Sequence, residues 1–157
     1  MTPFHLDDFL PYQLSVLANR ISRDFAAIYG DRFGLTIPEW RVLAHLNSAD
    51  QDLERGKDGR TTDGPSGISV REVHARVDMD KSKVTRAAQR LEAAGLIEKT
   101  GNPADRRLVT LALSARGRAM MAEITPLALA FEAEILASID PDKRDVFRAV
   151  LTGLLKG

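Results

Sequence analysis

Between Ser69 and Leu113 the apolar period of the chain changes from three-and-four to two, and this change narrows the folds open to it. Val70, Val73 and Val77 recur at helical spacing behind a Ser69…Glu72 capping-box pattern, in which a hydroxyl and a carboxylate satisfy the free N–H groups of a helix start. Asp80 can cap the next helix, "KSKVTRAAQRLEAAG". Its stripe is Val84, Ala87, Ala88, Leu91 and Ala94, and Gly95 suits a left-handed stop. "LIEKT" and "RLVTLAL" then read as short strands, the second carrying Val109, Leu111 and Leu113 on one face. The connection is "TGNPADRRLV", residues 100–109, with Gly101, Asn102 and Pro103 turning the chain. Helix, short turn, helix and hairpin in immediate succession is the order of a winged helix-turn-helix.

The flanks are helical. From Asp8 to Tyr29 the residues Leu10, Leu14, Leu17, Ile21, Phe25 and Ile28 form one stripe of a long helix, with Gly30 to Gly34 as its exit. "TIPEW" opens a second helix through Thr36 as cap, Pro38 in the first turn and Glu39 closing a capping box. This helix is expected to end near Ser48. Residues 49–67 are rich in Gly, Asp and Thr and read as a flexible insertion. After Ser114 a long helical pattern runs to about Ser138, and Pro126 is expected to kink it or break its ladder. Asp140-Pro141 restarts a last helix with Val146, Phe147, Val150, Leu151 and Leu154 on one side.

The 157 residues carry no net charge, but the charge is unevenly spread. Residues 1–68 hold seven Lys/Arg against ten Asp/Glu, residues 69–107 nine against six, and residues 108–157 six against six. The basic surplus therefore coincides with the helix-turn-helix and hairpin. With no cysteine, disulfides and thiolate metal sites are excluded. No apolar run approaches the roughly 20 residues of a membrane span, and "MTPFHLDDFL" lacks the basic start of a signal peptide, so no membrane association and a cytoplasmic location are expected.

Sorting residues 81–94 by face puts Ser82, Thr85, Arg86 and Gln89 opposite the apolar stripe, with Lys83 and Arg90 flanking. Arg and Gln can pair with base edges in a major groove, while Ser, Thr and Lys hold phosphates. An ordinary solvated face is the plainer alternative. The hairpin favours the former, because a basic tip beside such a helix can reach the narrow, electronegative minor groove. Asp105 is expected to pair with Arg107 and hold its guanidinium in a pointing rotamer.

"LTIPEWRVLAHL", "VDMDKSKVTRAAQRLEAAGLIEK" and "NPADRRLVTLALSARGR" resemble the corresponding segments of MarR-family transcriptional regulators. The family's Asp-x-Arg wing signature falls on Asp105-Arg106-Arg107. The resemblance implies a mainly α fold with a small β-hairpin wing (α+β), a winged helix-turn-helix core flanked by dimerisation helices. Residues 1–35 would be the N-terminal dimerisation helix, 36–113 the DNA-binding domain and 114–157 the C-terminal dimerisation helices. It also implies a homodimer on a pseudo-palindromic double-stranded DNA operator, acting as a repressor. Helix 81–94 would lie in the major groove and wing 101–107 in the minor groove, with Asn102, Asp105, Arg106 and Arg107 at the DNA and Arg107 the inserted arginine. The insertion 49–67 departs from the family's short connection. It carries five acids against three bases, and as an acidic loop it would weaken non-specific DNA affinity.

Many members of the family respond to small molecules. For such an effector Tyr12, Arg20, Trp40, Arg41 and His45 are the lining groups placed by helical position, suited to an aromatic carboxylate; the plainer alternative makes Trp40 core and Arg41 a surface or ion-pairing residue. His5, His45 and His74 show no metal-ligand spacing, and no metal or cofactor is expected. No G-x-S-x-G, phosphate-cradling glycine loop or Cys nucleophile is present, so an enzyme is not expected. The remaining alternative is a winged helix that serves only protein interactions.

Overall fold

The computed structural model describes residues 1–56, 67–102 and 105–157, with the side chains of 102 and 105–108 excluded. Six helices, α1 (Leu10–Phe33), α2 (Ile37–Glu54), α3 (Val70–Arg76), α4 (Lys81–Ala93), α5 (Ala115–Ala137) and α6 (Arg144–Lys156), accompany three strands among these residues. The strands β1 (Ile68–Ser69), β2 (Ile97–Asn102) and β3 (Asp105–Leu113) form an antiparallel sheet in the order β1-β3-β2. The fold is thus mainly α with a small sheet. Two compact units divide the chain, Met1–Glu123 and Ile124–Gly157.

In the first unit, α2 begins as its sequence dictates. Thr36 Oγ1 accepts from the Glu39 N–H at 3.4 Å, and the Thr36 N–H donates to Glu39 Oε2 at 3.2 Å. At α3 the expected box is half made. Ser69 Oγ accepts from the Glu72 N–H at 3.1 Å, while the Glu72 carboxylate pairs with Arg76 at 3.3 Å. Asp80 sits at the N-cap of α4 without a side-chain capping bond.

The second helix does not stop at Ser48. It continues to Glu54, because Ala49 is buried on the face of Val42 and Leu46, and Asp50 reaches Arg118 Nε at 3.4 Å. This moves the charge. Three of the five acids assigned to the insertion, Asp50, Asp52 and Glu54, are helical, and residues 57–66, outside the described set, carry two bases and two acids. The first helix likewise runs on to Phe33, and α5 passes through Pro126 as uninterrupted helix, the ring removing one N–H without ending the element.

The α1 stripe has two fates. Phe25 and Tyr29 enter the core with Trp40, the three ring centroids lying 5.1–5.4 Å apart, while Leu10, Leu14 and Leu17 stay exposed. The strand β1, which sequence periodicity did not reveal, pairs Ile68 with Leu111 and Ser69 with Thr110. In the second unit Arg148 bridges Glu132 at 3.1 Å, and Arg144 Nε donates to the Ile139 carbonyl at 3.0 Å. The α6 residues Val146, Phe147, Val150, Leu151 and Leu154 are all exposed.

Candidate nucleic-acid interface

Helix α4 is fixed from beneath. Val84, Ala87 and Leu91 are buried, the two larger side chains each contributing about 1.5–3 kcal/mol of transfer free energy. Its outer residues Ser82, Lys83, Thr85, Arg86, Gln89 and Arg90 are all exposed, so the face expected to read DNA is the one the packing leaves open. Ala94, placed in the apolar stripe by periodicity, is exposed as the C-cap. Gly95 follows with φ 74°, the left-handed conformation that turns the chain into β2.

Two contacts tie this outer face to neighbouring helices. Glu39 of the α2 capping box, almost fully buried, lies 3.8 Å from Arg90 Nη1 and restrains that otherwise exposed side chain. Thr85 Oγ1 lies 3.4 Å from Nε2 of His74 on α3. Thr36 and Pro38 at the start of α2 face Lys83, Arg86 and Arg90 across a shallow groove of about 90 Å³. Three cations thus gather beside a helix N-terminus, an arrangement suited to an anion. Sequence reasoning missed Glu39 and His74 as supports, since each acts through a tertiary contact.

The hairpin leaves α4 directly. Ile97 pairs with Leu113 and Lys99 with Leu111, and the register shifts between Thr100 and Asn102, whose partner is Asp105. Gly101 and Asn102, expected in the turn, are therefore strand residues, and Pro103, the third residue of the expected turn, lies outside the described set. The side chains of Asn102, Asp105, Arg106 and Arg107 also lie outside the described residues, and with them the expected Asp105–Arg107 pair.

The five effector-site residues fall into two groups among the described residues, one on α1 and one on α2. Tyr12 and Arg20 line an open cleft of about 230 Å³ on α1, with Asp7, Gln13, Val16 and Leu17. Trp40 stacks on Tyr29, and Arg41 and His45 are half-buried on α2. Burial pushes the Tyr29 phenol up to about 12, against the opposing pull of Arg41. Burial also lowers the His45 pKa, aided by the Arg76 and Arg41 charges. Tyr29 and Arg76, which sequence reasoning did not single out, are thus electrostatic neighbours of this second group. No group of three or more His, Asp or Glu among the described residues is placed to hold a metal.

Residues 59–108, which span α3, α4 and most of the hairpin, match the family model described as MarR family. Over that stretch the chain resembles the MarR family. Likeness to known transcriptional regulators extends over nearly the whole length. The HTH-type transcriptional regulator PapX of Escherichia coli is 21% identical over 94% of this chain and 82% of its own. A MarR family transcriptional regulator from Silicibacter pomeroyi DSS is 28% identical, with TM-score 0.73 over 99% of this chain and 93% of that one. BpsR of Bordetella bronchiseptica, whose DNA binding is regulated by 6-hydroxynicotinic acid, shares the fold at TM-score 0.76, with 23% identity and 99% of both chains covered. A winged helix similar to those of MarR-family regulators is therefore the frame in which the exposed α4 face is set.

Proposed function

We propose that the protein is a homodimeric, sequence-specific DNA-binding transcriptional regulator that represses nearby genes and is released by a small aromatic carboxylate. The observation that carries the reading is the exposed α4 face. Arg86 and Gln89 have the hydrogen-bonding forks to read base edges in a major groove, while Ser82, Lys83, Thr85 and Arg90 hold the backbone. The wing, residues 101–107, enters the minor groove through Arg107, with Asn102, Asp105 and Arg106 beside it. The groove between Lys83, Arg86, Arg90 and the α2 start takes a phosphate.

Dimerisation follows from the apolar faces. Leu10, Leu14 and Leu17 on α1, and Val146, Phe147, Val150, Leu151 and Leu154 on α6, are too apolar for water and are covered by a second copy. A two-fold dimer places its half-sites roughly 34–36 Å apart, which requires an inverted repeat. For the effector, Arg20 beside Tyr12, or Arg41 beside Trp40 and His45, offers a guanidinium for a carboxylate next to an aromatic surface. The acid that regulates BpsR belongs to this chemical class.

Fluorescence anisotropy tests the reading, with DNA from upstream of the protein's own gene against a scrambled duplex over a salt series. Saturable binding that prefers one sequence, weakens steeply with salt and is lost in Arg86→Ala and Arg107→Ala is expected, each neutralised phosphate contributing about −0.9 to the log–log slope. Equal binding to both duplexes at every salt, repeated with fragments selected from the whole genome, would remove the DNA-reading role and leave a protein-interaction winged helix.

A further inference from the structure

The contact between His74 and Thr85 carries a consequence for what the DNA must present. His74 stands on α3 at the edge of a cleft of about 100 Å³, whose walls combine Val73, Val84 and Leu111 with Gln89, Glu92 and Lys99. Its Nδ1 is buried and meets no hydrogen-bond partner among the described residues. Its Nε2 lies 3.4 Å from Thr85 Oγ1, on the exposed face of α4. In a neutral imidazole one nitrogen donates and the other accepts, and the hydrogen bond that is made decides which. If Nε2 accepted from Thr85, the proton would sit on Nδ1, a buried N–H that meets no acceptor among the described residues. Orphaned buried donors are the rarest defect in folded proteins. The proton therefore sits on Nε2, and Nε2–H donates to the threonine oxygen.

Thr85 is thereby polarised in one sense. Its hydroxyl has one proton and two lone pairs, and His74 occupies a lone pair. The proton is left to point away from α3. We propose that His74, without touching DNA, is a positioning residue that makes Thr85 a hydrogen-bond donor, so that the operator presents an acceptor to it. Acceptors of this kind are a phosphate oxygen, a purine N7, guanine O6 or thymine O4. The amino groups of adenine and cytosine are disfavoured there. The inference rests on the reading of α4 as the DNA-binding helix and adds the direction of one hydrogen bond to it.

A double-mutant cycle tests it, with the full chain and the tightest duplex that the wild-type protein selects from random-sequence DNA. Thr85→Val is expected to weaken binding about tenfold, the worth of one hydrogen bond to a strong acceptor. His74→Leu, which removes the donor, is expected to weaken it about threefold, and the double variant still only about tenfold, against the roughly thirtyfold of independent effects. His74→Gln, which offers an N–H in place of Nε2–H, should return binding to within about twofold of wild type at an unchanged thermal midpoint; a role confined to packing predicts that Gln behaves as Leu. Multiplicative losses, or no rescue by Gln, overturn the inference while leaving the DNA-binding reading intact. Failure of the wild-type chain to select any sequence removes both.

Discussion

The substitution Gly117→Ala sets two quantities of known size against each other. Gly117 is buried in the first turns of α5, and helix propensity alone would make the change stabilising by up to about 1 kcal/mol. A Cβ on Gly117, however, would run into the Leu96 carbonyl oxygen, with the Leu96 carbonyl carbon at 3.1 Å and Leu113 Cδ2 at 3.3 Å. That carbonyl is not free to give way, since it accepts from the Ser114 N–H at 3.0 Å. The corner is pinned further. Ser114 Oγ donates to the Gly95 carbonyl at 2.6 Å and accepts from the Gly117 N–H at 3.1 Å, and Arg116 Nη1 donates to the Ala94 carbonyl at 2.9 Å. Forcing a methyl into such a place costs about 1–3 kcal/mol, and loosening one of these bonds adds about 0.5–1.5 kcal/mol. After subtraction of the propensity gain, a net loss of about 1–3 kcal/mol remains. At roughly 2–4 °C per kcal/mol for a chain of this size, the thermal midpoint falls by roughly 2–12 °C. Gly30→Ala is the matched control, because a Cβ there meets only the Leu35 oxygen at an ordinary 3.6 Å within a helix. It should hold or raise the midpoint. Calorimetry of both variants at one protein concentration decides, and a Gly117→Ala midpoint equal to or above wild type would refute the argument.

Three further outcomes follow from the charges and apolar faces. The folded pKa of His45 lies below the ordinary value of about 6.5, so between the two values the unfolded chain binds more protons; stability should rise with pH through that window and level off above about pH 6.5. His45→Gln should flatten this dependence in urea titrations at pH 5 and pH 8, and coincident profiles would assign the slope to other groups. Deleting 57–66, whose charges cancel, should leave the salt slope of DNA binding unchanged, whereas a changed slope would restore an electrostatic role to that segment. Leu151→Glu on the exposed α6 face should dissociate the proposed dimer in sedimentation experiments, and an unaltered mass would place the interface elsewhere.

What could be read from the sequence was what is decided locally. The α4 stripe of Val84, Ala87 and Leu91 and the Thr36–Glu39 box depend on residues three or four apart, and both are found where the pattern puts them. The end of α2 could not be read in this way. Its Asp50 is held by Arg118, 68 positions away, and a run containing Ala49, Asp50, Gln51 and Asp52 has the composition of a loop until that partner is in place. The strand β1 was hidden for the same reason, since two residues carry no period and acquire strand geometry only by pairing with Thr110 and Leu111. The five effector-site residues were grouped by helical position, and helical position does not set the distance between α1 and α2 surfaces; it left Tyr12 and Arg20 in one cleft and Trp40 packed on Tyr29 elsewhere.

The same distinction bears on the α1 stripe. Leu10, Leu14 and Leu17 obey the spacing that buries Phe25, and local pattern treats them as one face. Within one chain only the C-terminal end of that face enters the core. An apolar period that continues beyond its own core has the free energy of burial still to gain, about 25 cal/mol for each Å² removed from water. The α6 face, exposed along Val146, Phe147, Val150, Leu151 and Leu154, has the same unmet gain. Two apolar faces on one chain that stay wet are most simply covered by the same faces on another copy, because a two-fold contact requires no second kind of partner. In the proposed dimer the interface would be as much a product of the apolar period as the core is, and residues that themselves touch no base would present the two α4 helices to DNA as a pair.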